Sequence, residues 1–200
     1  MNDALIVFRA NIERVRSIHG LHADLSNRVT KILDLSDLLR TEIVLIVSAL
    51  DHFIHEITRK GMIQIWRGDR PPTPAYLKFS VSLGVAAHLS NPIGAAALLE
   101  SEIRARHGFL SFQTPDNVSD AIKIISSIPL WNRVAKSLGQ EPKILKSELK
   151  LVIDRRNKIA HEADIDPSYP GQRWPISPVD TSGALSLVEK ICETIYSLVA

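Results

Sequence analysis

The chain has 200 residues, 45% apolar and 23% charged, with a formal net charge of +2. That length is enough for one domain with a sizeable core, and the balance is that of a globular protein rather than a disordered chain. Nearly neutral charge excludes a basic nucleic-acid coat, so any RNA or DNA contact must use a local patch or charge pooled from two subunits.

The lone cysteine, Cys192, excludes an internal disulfide and fits a reducing compartment. In a helical pattern it reads as a small core hydrophobe rather than a nucleophile. The longest apolar run, 43–50, is interrupted by Ser48 and flanked by Arg40, Glu42 and Asp51, too short and too charged at its edges to span a bilayer. The first residues lack a basic region and a cleavage signal, so the cytoplasm is the expected compartment, with no membrane contact.

Leu5, Phe8, Ile12 and Val15 recur at helical spacing and predict a first helix over 3–19, closed by Gly20. After a polar stretch, residues 34–37 supply caps for a long helix over 38–60, apolar nearly all round in its middle as in a helix buried between others. Gly61 is a candidate interruption and 62–66 a candidate extension. The segment 68–74, with Pro71, Pro72 and Pro74, cannot continue a helix. Shorter helices are predicted over 79–89 and 92–107. Thr114-Pro115-Asp116-Asn117 reads as a helix start, followed by 118–126. Pro129 begins a short helix through 138, ended by Gly139.

Pro142 opens a helix over 143–162 with Leu145, Leu149, Val152, Ile153 and Ile159 as its apolar stripe. A loop rich in Pro, Gly and Asp covers 164–178, and a last helix spans 179–199. No repeat, low-complexity tract or strand pattern is present. The expectation is an all-α single domain, in which 1–35 is an N-terminal helix with its connection.

The helix over 143–162 carries Arg155-Arg156-Asn157-Lys158-Ile159-Ala160-His161-Glu162 near its end. An imidazole moves protons near neutral pH, and a guanidinium grips phosphate with planar, paired donors. At about 100° per residue, Arg156 falls in the centre of the apolar stripe and Arg155 well outside it. Arg156 is therefore expected to face a polar cleft or an anion, and Arg155 to be a solvated charge. Asn157 and His161, four apart, share a face, whereas Arg156 and His161 lie about 140° apart. They converge if the helix distorts, if the arginine bends round, or if two copies of the helix meet across a dimer cleft, which is the preferred expectation. The plainer alternative is a helix end whose histidine only complements the dipole.

This string closely resembles the signature of HEPN domains: Arg, a polar residue often Asn, a few residues, then His. The wider chain resembles the RiboL-PSP branch of that superfamily. The stretches that carry the likeness are Leu39-Arg40-Thr41-Glu42 leading to Ala49-Leu50-Asp51, then Phe112-Gln113-Thr114-Pro115-Asp116 with Leu130-Trp131, and Arg173-Trp174-Pro175-Ile176-Ser177. Together they cover most of 36–200.

The resemblance implies a HEPN-like helical bundle with additional short helices, usually a homodimer whose signature helices face each other. It implies metal-independent endoribonuclease activity without a cofactor, in toxins, RNA processing or phage defence. The implied partners are RNA, a second copy, and a cognate antitoxin or neighbouring defence protein. Carried over by position, the catalytic residues are Arg156, Asn157 and His161. Asp51, Glu42, Arg40, Lys158 and Glu162 are supporting candidates. Arg155 and Trp174 are candidate RNA contacts, although burial as a loop anchor is the stronger expectation for Trp174. The alternative function is a catalytically silent HEPN module that binds RNA, a nucleotide or a partner protein.

Asp51-His52-Phe53-Ile54-His55-Glu56 offers metal-type donors, but no third ligand falls at a convincing spacing, and no metal site is expected. Asp51 is expected instead to be structural or to pair with a motif arginine. His19 and His22 read as surface or cap residues, and His88 and His107 as isolated histidines. Arg104, Arg106 and His107 form a small basic cluster, as do Lys143, Lys146 and Lys150. Each reads first as a solvated helix face, and either is placed to extend an RNA groove.

Overall fold

In the computed structural model, residues 1–30, 33–89 and 93–200 are described. Among them the chain forms eight α-helices and one 3-10 turn, with no strand and one isolated antiparallel bridge between Ile165 and Arg173. The expected all-α architecture is the observed one.

The first helix, α1 (Asn2–Arg28), buries Ala4, Leu5, Phe8, Ile12 and Val15. It does not stop at Gly20. A glycine ends a helix when it turns left-handed, and Gly20 is not among the residues of positive φ. Kept helical, it costs only about 1 kcal/mol against alanine, which the flanking turns absorb.

The hub is α2 (Ser36–Arg67), which packs against α1, α4, α5, α7 and α8. It starts two residues earlier than expected and runs straight through Gly61. There the glycine serves a close approach: a Cβ would lie 2.7 Å from Ile125 and 2.8 Å from Met1. The true stop is Gly68, left-handed at φ 84°, with the Gly68 and Asp69 amides closing on Ile65 and Gln64.

The helix expected over 79–89 is shortened at its start. It is the short α3 (Leu83–His88), with a 3-10 turn (Tyr76–Lys78) ahead of it. Ser82 accepts a bond from the Val85 amide and so starts the helix late, an example of serine competing as a cap. The next helix, α4 (Ala95–His107), follows left-handed Gly94; its expected start at 92 lies outside the described residues.

From there the expected boundaries hold to within a few residues. In α5 (Pro115–Ile125), Thr114 is the cap, and α6 (Leu130–Leu138) ends at left-handed Gly139. In α7 (Pro142–His161), Leu145, Leu149 and Ile153 are buried. Before α8 (Pro178–Val199), the Ser177 and Asp180 side chains form a reciprocal capping box. Cys192 is fully buried in the core, and burial raises its thiol well above the ordinary range, as expected of a packing residue. No described helix is long and apolar enough to cross a membrane.

A candidate active site at the C-terminal end of α7

α7 ends in a tight reversal. Ala163 and Asp164 both take positive φ, 51° and 58°, and the Asp164 amide closes back on the Lys158 carbonyl at 2.9 Å. The chain then returns beside α7, with the Trp174 amide on the Asp164 carbonyl at 2.9 Å. This turn buries the Asp164 carboxylate, only 1% exposed, against two arginines. Its Oδ2 accepts from Arg40 Nε at 2.7 Å and from Arg155 Nη2 at 2.9 Å. Both guanidiniums also reach the Trp174 carbonyl, and Arg40 adds the Ser36 hydroxyl. A buried charge is tolerable only when paired and hydrogen-bonded, and here the pairing ties α2, α7 and the return loop together.

Arg155 is therefore not the solvated charge expected of it. It donates to Asp164 and to the carbonyls of Trp174 and Pro175, and burial pulls its pKa below the usual arginine value, with Asp164 opposing. The helical wheel misses this because the cover is supplied by the loop after the helix. Trp174 lies under Lys158, whose ammonium is 4.5 Å from the ring centroid. Its backbone and ring thus anchor the loop.

Arg156 faces the other way. Its guanidinium donates to Gln113 Oε1 and, at 3.1 Å, to Asn157 Oδ1. Gln113 is itself buried in the segment before α5. That segment is fixed by Asp51, whose carboxylate accepts the Phe112 amide at 2.6 Å, and by the Asn117 side chain on the Ser111 carbonyl. Asp51 thus does not pair with a motif arginine. It holds the strap that carries the arginine's partner.

Asn157 lines a groove between α7 and the starts of α5 and α6. His161 is exposed in the last turn of α7, and no hydrogen bond or ion pair to another described residue reaches it. Glu162, the C-cap, is exposed too. The chain therefore presents a half-buried guanidinium beside a carboxamide, with an open imidazole one turn on.

Other candidates lie elsewhere. Glu42 is buried, and its Oε2 meets His19 Nδ1 at 2.9 Å, so His19 joins α1 to α2 rather than being a free surface residue. His52, His55, Glu56 and His107 line a separate cavity of about 340 Å³ with Asp51. No group of three metal-type donors is brought together among the described residues. Glu56 is spent on Arg59 and Arg104. His107 is not isolated: it sits edge-on to Phe79 and Phe112 and near His55, and burial lowers its pKa to about 4. Arg104 and Arg106 are paired with Glu56 and Glu102 rather than forming a free basic cluster.

Sequence reasoning missed two residues. Asp164 was signalled by Arg40, since an arginine buried in the opening turns of α2 demands an acid. Gln113 stood in a stretch that carried the resemblance, but nothing local marked it as the partner of Arg156.

A family model described as RiboL-PSP-HEPN matches residues 9–200. The chain belongs to that family, which bears out the resemblance and extends it toward the N-terminus into α1. No curated protein and no solved structure matches the chain.

Proposed function

We propose that this protein is a metal-independent endoribonuclease of the HEPN type, acting as a homodimer in a toxin–antitoxin or phage-defence role. The observation that carries the reading is the division of labour on α7. Arg155 is consumed by the Asp164 frame, which leaves Arg156, Asn157 and His161, the three positions that match the family signature, outside that frame.

In this reading His161 takes the proton of an RNA 2′-hydroxyl as its oxygen attacks the adjacent phosphorus. The bond to the 5′-oxygen breaks, a protonated imidazole returns the proton to that oxygen, and the products are a 2′,3′-cyclic phosphate and a 5′-hydroxyl. Arg156 steadies the charge that builds on the phosphate oxygens, and Asn157 and Gln113 hold the guanidinium in place. The imidazole and the guanidinium between them supply proton transfer and charge stabilisation, so no step calls on a Lewis acid.

The angle of about 140° between Arg156 and His161 on α7 supports a site pooled from two protomers. Exposed Leu151 and Ile144, one heptad apart on the outer face of α7, give that helix an apolar stripe for its partner. The silent-module alternative differs in one observable, RNA left intact while still bound.

The test is RNA cleavage in the presence of a chelator, followed by analysis of the product ends. Arg156→Ala is expected to lower the rate roughly 10²–10³-fold and His161→Ala roughly 10²–10⁴-fold, both with unchanged circular dichroism. Both residues have exposed or half-buried side chains, so neither change empties the core. Cleavage unchanged in both variants would overturn the assignment.

A further inference from the structure

A groove of about 840 Å³ runs along α7 against the starts of α5 and α6 and ends at Asn157. Lys143, Lys146 and Lys150 line it, with Asn117, Asn132, Ser119 and Ser147 as neutral hydrogen-bonding groups. Its volume lies in the range of small-ligand sites, roughly 300–1,000 Å³.

The spacing on α7 gives the groove a direction. Lys143, Lys150 and Asn157 are seven residues apart, so they drift by only about 20° from one to the next, and His161 lies within about 40° of the same strip. Lys143 and Lys150 are exposed and carry no ion pair among the described residues. Lys146 is tied to Asp116 at 3.2 Å, and Asp154 sits near the Asn157 end. The two free cations therefore stand in line with the proposed catalytic imidazole, about 21 Å from Lys143 to Asn157.

We infer that this groove is a track for single-stranded RNA, holding the nucleotides on one side of the scissile phosphate. The inference rests on the endoribonuclease reading for what happens at His161, and on the groove alone for binding. Lys143 and Lys150, about 10 Å apart along the helix, would meet phosphates about two nucleotides apart, while the asparagines, serines and Asp154 would meet unpaired base edges. A single strand fits because its backbone can follow the helix and its bases can turn into the cavity. An A-form duplex keeps its major-groove base edges in a deep, narrow groove that side chains do not enter, and its paired bases cannot turn out into a cavity. The length suits roughly four nucleotides, the small end of the sites of single-strand binders.

The experiment separates binding from chemistry. In a His161→Ala background, in which cleavage is expected to be slowed roughly a hundredfold or more, the affinity of a labelled 12-nucleotide single strand is measured by fluorescence anisotropy across a salt series. The same sequence closed into a hairpin is the comparison. The double change Lys143→Ala with Lys150→Ala is expected to weaken single-strand binding about tenfold or more near 0.1 M salt. It should also flatten the slope of log K against log salt by about 1.4, roughly 0.7 for each phosphate that a lysine no longer neutralises. Hairpin binding should change by less than threefold. Both lysines are exposed, so circular dichroism should not change.

Unchanged single-strand affinity and slope would overturn the track, as would an equal loss for the hairpin. With His161 intact, the lysine changes should raise KM for long RNA and leave cleavage of a dinucleoside monophosphate as it was. If no form of the protein cleaves RNA but the lysine-dependent binding remains, the nuclease reading fails and the track stands. If RNA is cleaved equally with and without the lysines, the track fails and the nuclease reading stands.

Discussion

Arg155 and Arg156 are chain neighbours whose guanidiniums end in opposite surroundings. One meets a buried carboxylate and two carbonyls, the other a glutamine and an asparagine next to open groove. The helical period of α7 points Arg156 inward, but it wrongly leaves Arg155 to solvent, because Asp164 and Trp174 reach that arginine only after the chain reverses at two left-handed residues. Burial of Arg40 could be read from its place in an apolar helix; the identity of its acid could not. The same limit applies to His107, whose sequence neighbours give no sign of the aromatic cage that Phe79 and Phe112 build around it. Its Nδ1 is buried without a partner, and the nearby His55 adds to the burial that holds its pKa at about 4 against 6.5. A lowered histidine pKa means that the unfolded chain takes up the proton first as the medium is acidified. Above pH 6.5 His107 is neutral in both states and leaves stability unaffected; between 6.5 and 4 stability falls, by about 3 kcal/mol in all. Chemical denaturation at pH 7 and pH 4 should show this loss in the wild type, and His107→Phe should remove most of it. An equal fall in both proteins would show that other groups govern the acid response.

At the level of elements, boundaries set by turn chemistry were legible and those set by tertiary contact were not. Thr114 with Pro115 and Gly139 mark real helix ends because a side-chain cap or a left-handed glycine satisfies backbone groups there, and Pro142 marks the start of α7 because the first helical position needs no N–H and suits its fixed φ. Gly20 and Gly61 look alike in the sequence and are both crossed by helix, yet for different reasons. Nothing lies within 4 Å of a Cβ added at Gly20, whereas Ile125 and Met1 crowd the position at Gly61. Thermal denaturation should tell them apart. Gly20→Ala is expected to stabilise by up to about 1 kcal/mol, through helix propensity alone. Gly61→Ala is expected to destabilise by about 1–3 kcal/mol, since crowding where α2 meets α5 outweighs the same propensity gain. A stabilising Gly61→Ala would mean that the two helices are not held at the distance described.

At the scale of the whole molecule, a bundle centred on α2 holds α7 with one side in the core and the other free. Its free side carries Ile144, Leu151, the lysine row, Asn157 and His161, the features on which the proposed partner and substrate would draw. The angle between Arg156 and His161, visible in the sequence, is the reason the proposed site is drawn from two chains. Complementation between inactive variants tests this most directly. Arg156→Ala and His161→Ala proteins, each inactive alone, are mixed, unfolded and refolded together. If each site takes its arginine from one protomer and its histidine from the other, every mixed dimer keeps one intact site. Random pairing then restores about a quarter of wild-type RNA cleavage. A mixture as inactive as its components would contradict the shared site.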